Sequence, residues 1–65
     1  MTEYTNSQIN HTIDEYIHSE RDRKILKSRY IDGLTYEALS EKYDLSVKQI
    51  RNILYKHENT LLQRL

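Results

Sequence analysis

Thr35-Tyr36-Glu37-Ala38-Leu39-Ser40-Glu41-Lys42-Tyr43-Asp44-Leu45-Ser46-Val47-Lys48-Gln49-Ile50-Arg51-Asn52-Ile53 carries two helix starts close together in the chain. Thr35 can cap a helix that begins at Tyr36, with Leu34 before the cap and Leu39 at the fourth helical position forming a hydrophobic staple. Ser46 repeats the device: Gln49 stands three residues on, as in a capping box, and Leu45 and Ile50 make a second staple. The first of these helices therefore spans about residues 36–43, and the second runs from about Val47 to near Arg64. Only Asp44, Leu45 and the cap Ser46 separate them, which is too tight a connection for an antiparallel pair. The two helices must cross steeply.

A helix-turn-helix over about residues 35–56 meets these conditions. It requires Leu39, Tyr43, Leu45, Ile50 and Ile53 to point inward and leaves Ser40 as the small residue where the helices come closest. Asp44 stands at the turn position where glycine is commonest, and Asp tolerates the left-handed backbone needed there better than most residues. Plain bundle architecture is the simpler alternative, and the doubled caps at this spacing count against it.

Projecting the last helix at about 100° per residue places Ile50, Ile53, Leu54, His57 and Leu61 on one side, toward the core. Lys48, Asn52, Tyr55 and Asn59 fall opposite, flanked by Gln49, Arg51 and Lys56. Lys and Arg pair with guanine or phosphate, Asn and Gln with adenine, and a Tyr hydroxyl donates to phosphate. A helix so furnished suits the major groove of double-stranded DNA, and an ordinary solvated face is the competing explanation.

Working outward toward the N-terminus, Ile9, Ile13, Tyr16 and Ile17 form one face of an amphipathic helix within residues 5–18, with Thr5, Asn6 or Ser7 as its cap. Ser19 followed by Asp22 resembles a capping box with a shorter acid, and Ile25, Leu26 and Tyr30 supply the apolar stripe of a helix over about 20–32. Gly33, the only glycine, is suited to end it because it takes positive φ without a Cβ penalty. The expectation is one all-α, four-helix domain over 1–65, with disorder confined to about the first five residues and the last few.

Sixty-five residues leave room for one small core, and without Cys the chain relies on helix packing, with self-association as a further aid. The net charge is zero but unevenly spread: −4 over residues 1–20, +1 over 21–45 and +3 over 46–65. No apolar run suits a signal peptide or membrane span, so a cytoplasmic location is expected. His11, His18 and His57 match no compact metal motif, and no nucleophile, phosphate loop or cofactor fingerprint is present. The chain thus reads as a non-enzyme with neither cofactor nor metal, and His57 reads as a hydrogen-bonded helix histidine.

The chain resembles region 4 of the sigma-70-type factors from about Arg21 to Leu62. The likeness rests on the run from Arg21 to Tyr30, on Asp32-Gly33-Leu34-Thr35-Tyr36-Glu37, and on the run from Asp44 to Ile53. It implies DNA contacts at Val47, Lys48, Arg51 and Asn52, with Arg21 and Thr35 near the phosphate backbone. Val47 and Lys48 depart from the basic and acidic side chains common at those places, which implies a changed base preference. A looser likeness, to LuxR-type regulators, runs through Gly33-Leu34-Thr35. The chain has no counterpart of the sigma region that melts promoter DNA, and the likeness therefore points to a stand-alone regulator of phage or mobile-element type. A protein-interaction module for RNA polymerase or a sigma factor remains the alternative, favoured by the acidic N-terminal segment. Leu62 projects off the core stripe and Leu65 lies at its edge, so either the first helix folds over that end or two subunits pair there as a homodimer.

Overall fold

The computed structural model describes residues 4–65 and contains four helices: α1 (Asn6–Tyr16), α2 (Glu20–Tyr30), α3 (Tyr36–Tyr43) and α4 (Val47–Arg64). The last two match the bounds expected from their caps. Thr5 is the α1 cap, accepting from the Gln8 amide at 3.1 Å while its own N–H donates to Gln8 Oε1 at 2.8 Å. The disorder expected before Tyr4 lies outside the described residues. Within the described residues, Thr5 forms the capping box of α1 and α4 is helical to Arg64.

Ser19 caps α2 through the Asp22 amide, but the Asp22 side chain does not return to the cap as a capping box would have it. It turns into the protein instead and is 3% exposed. The helix ends at Tyr30, slightly earlier than expected. Gly33 sits beyond the end at φ 73°, and the Leu34 N–H reaches back to Ser28 O at 3.1 Å.

Ile13, Ile17, Ile25, Leu26, Leu39, Ile50, Leu54 and Leu61 form the core, and they come from all four helices and the residue ending α1. Ile9, Leu34, Tyr43, Leu45 and Ile53 close its margin half-buried. Two residues placed on apolar stripes lie further out: Tyr16 is 36% and Tyr30 40% exposed. Each sits at the last position of its helix, at the margin of the core rather than within it. Tyr16 is instead roofed by the Arg64 guanidinium, 4.9 Å from the ring centre, which joins α1 to the end of α4.

Polar links register the helices around this core. Lys27 of α2 donates to Asp14 of α1 at 2.6 Å. The Tyr43 hydroxyl donates to Lys24 O at 3.1 Å, which leaves it to accept the proton of buried Ser28 Oγ at 2.8 Å and fastens α3 to α2.

Candidate nucleic-acid interface

The turn between α3 and α4 satisfies its own backbone. Asp44 adopts the left-handed region at φ 55°, ψ 47°, and Ser40 O accepts from the N–H groups of both Asp44 and Leu45. Ser40 Oγ donates to Leu45 O, so the small side chain at the helix crossing also ties the turn together. Ser46 then accepts from the Gln49 amide at 3.1 Å, and its N–H donates to Gln49 Oε1 at 2.9 Å. The start of α4 is thereby held by reciprocal bonds, and no acidic residue lies in its first turn to offset its positive dipole end.

Ile50, Leu54 and Leu61 are buried on the inner face of α4, with Ile53 and His57 half-buried beside them. Lys48, Gln49, Arg51, Asn52, Tyr55 and Lys56 are exposed and Val47 is half-buried, so one element presents the expected α4 candidates together. Tyr55, 71% exposed, is far more open than a packing tyrosine would be. The capping geometry singles out Gln49. Reading adenine through both edge atoms needs its amide oxygen and its NH2 group, and the oxygen already serves the Ser46 cap. Lys48 and Asn52 carry no such commitment among the described hydrogen bonds.

Thr35 caps α3, accepting from the Ala38 amide at 3.1 Å, and is exposed. Arg21 lies in the first turn of α2, away from α4 along the chain, yet its neighbour Asp22 bonds His57 of α4. Arg21 Nε and Nη2 both donate to Asp22 Oδ1 at 3.1 Å, and His57 Nε2 donates to Oδ2 at 2.7 Å. Burial works against the Asp22 charge, but these hydrogen bonds prevail and hold its carboxyl below the ordinary carboxylate value. His57 is therefore the hydrogen-bonded histidine the sequence suggested. Its partner was not legible, because 35 residues separate the two.

A cleft that sequence reasoning missed opens beside α4, lined by Arg29, Tyr30, Tyr36, Arg51, Tyr55 and Glu58. Arg29 stacks over the Tyr36 ring at 4.8 Å and donates to Leu34 O at 2.8 Å. Both contacts span the Gly33 turn between α2 and α3, so a projection of either helix alone does not show them. Burial and the Glu58 charge raise the Tyr30 hydroxyl's pKa, so it stays a neutral donor in this cleft. Among the described residues, no three metal-binding side chains gather, and no helix is long and apolar enough to cross a membrane.

A short helix and a longer one joined by a tight, capped turn, the second with a polar, partly cationic outer face, define a helix-turn-helix. The family model for sigma-70, region 4 matches residues 19–56, more than half of the 65-residue chain, and the chain belongs to that family of DNA-binding helix-turn-helix domains. Comparison with curated proteins and with solved structures found no match. The match covers α2, α3 and the first half of α4, and leaves α1 outside it.

Proposed function

We propose that the chain is a sequence-specific, double-stranded DNA-binding transcription regulator that lays residues 47–56 of α4 in the major groove. The observation that supports this best is the pairing of a rigidly capped α4 start with an exposed run of base-competent and phosphate-competent side chains. Lys48 and Asn52 read base edges, and half-buried Val47 offers methyl groups to a thymine methyl. Arg51, Tyr55 and Lys56 contact phosphates along α4, while Thr35 and Arg21 do so from the starts of α3 and α2. Gln49 takes part through its free NH2 group and otherwise holds the cap. Cytoplasmic action follows from this reading.

Selection from a randomised duplex pool at low and at near-physiological salt tests it. Enrichment of a motif that survives the higher salt is expected, and its symmetry reports whether one subunit or a homodimer binds. Retention that is unselective and vanishes with salt would leave phosphate attraction alone and refute sequence-specific reading.

A second reading, binding of RNA polymerase or a sigma factor, is favoured by an apolar groove at the far end of α4. Tyr4, Ile9, Tyr30, Leu61, Leu62 and Leu65 line it, with Leu62 64% exposed. Purified polymerase that binds the wild-type chain and not Leu62→Lys would establish it, and no binding to polymerase or sigma factor would remove it.

A further inference from the structure

Asp22 is a charged side chain that the fold buries, with 4% of the side chain exposed. Burying a carboxylate costs free energy unless it is paired, and a well-packed apolar residue often does as well for stability. The charge therefore calls for a reason beyond packing. Its two oxygens are divided between neighbours of different kinds. Oδ2 takes the bond from His57, which is 14% exposed and belongs to α4, and Oδ1 takes the fork from Arg21, whose side chain is 57% exposed.

A guanidinium carries five N–H donors, and the fork uses two. Three remain for a ligand. An unrestrained Arg loses much rotamer freedom when it binds, and a fork already made removes part of that cost. Because the same carboxylate is anchored by His57, the Arg21 donors are fixed in the frame of α4 as well as of α2. The Asp22 charge offsets the long-range pull of Arg21, so what the pairing adds is direction and register.

We propose that Asp22, anchored by His57, is a positioning residue that presents the Arg21 guanidinium to a nucleic-acid phosphate in fixed register with α4. This rests on the DNA-binding reading above. It assigns the His57–Asp22 contact a part in binding that neither residue has by touching DNA.

The test is a double-mutant cycle on one duplex bound by the wild-type protein, with Arg21→Ala, Asp22→Ala and the double variant, each followed across a salt series. With Arg21 present, Asp22→Ala is expected to weaken binding about tenfold and lower the salt slope by about one. In the Arg21→Ala background it is expected to cost no further affinity. An equal loss in both backgrounds would overturn the proposal, and so would tighter binding by Asp22→Ala. Circular dichroism reports whether Asp22→Ala is folded. If it is not, Asp22→Leu, which is of similar branched shape and offers no acceptor to Arg21, takes its place in the cycle with the same two criteria. A wild-type protein that binds no duplex overturns the DNA reading and this inference together, whereas binding that needs Arg21 but is indifferent to Asp22 overturns this inference alone.

Discussion

Lys48 and Asn52 lie one turn apart on the open face of α4, and neither is tied into the fold by a described hydrogen bond. Their removal should leave stability nearly unchanged. On the selected duplex, Lys48→Ala and Asn52→Ala are each expected to cost about 1–3 kcal/mol in competition binding, with smaller losses on unrelated duplexes. Equal losses on every duplex would deny them a base-reading part. Asp44 poses the opposite kind of test, since its φ of 55° makes it a backbone residue before anything else. An L residue in this region is strained by about 1–2 kcal/mol, and Asp relieves some of that through local hydrogen bonding. Asp44→Ala is expected to lower the urea midpoint, while Asp44→Gly holds or raises it. A midpoint lower for Gly than for Ala would show that the side chain matters more than the backbone it sits on.

The elements differ in how well local sequence specifies them. The caps Thr35 and Ser46 bond to residues three positions on, so the bounds of α3 and the start of α4 are written within one turn of chain and were legible to the residue. Ser46→Ala is accordingly expected to cost about 1 kcal/mol in equilibrium unfolding, with the Gln49 amide left unpaired. No change in stability would mean that the second half of the capping box holds the helix start without the first. Periodicity likewise placed Ile13, Ile25, Leu26, Ile50 and Leu54 in the core. It overreached at Tyr16 and Tyr30, because a helical stripe gives the direction of a side chain and not how much of it the neighbouring elements cover. The candidate site divides along the same line. Its α4 residues follow from one helix projection except Val47, which only the family likeness implies, whereas Asp22 and His57 meet only through the tertiary fold.

At the scale of the molecule, the uneven charge distribution is reconciled by helix pairing: acidic α1 lies against α2 through the Lys27–Asp14 bond, and the last helix keeps its cationic excess. That arrangement makes stability depend on ionised carboxylates, of which Asp22 is the buried one among the described residues. An unfolded Asp titrates near about 3.9. Asp22 in the folded protein titrates lower, because its bonds from His57 and Arg21 outweigh the burial that opposes its charge. Between the two values the unfolded chain binds more protons than the folded one, so stability rises with pH there. The contribution is complete above the unfolded value and is lost as the pH falls through the folded one. Asp14, lowered through its bond to Lys27, acts in the same direction from an exposed position where solvent screens it. Asp22→Asn is therefore expected to be less stable than wild type near neutral pH and to show a shallower loss of urea midpoint below about pH 4, with the remaining slope supplied by Asp14 and other carboxyls. Parallel curves for the two proteins would mean that the bonds to Asp22 confer no preference for its ionised form. They would also remove the link between this buried carboxylate and the acid stability of the fold.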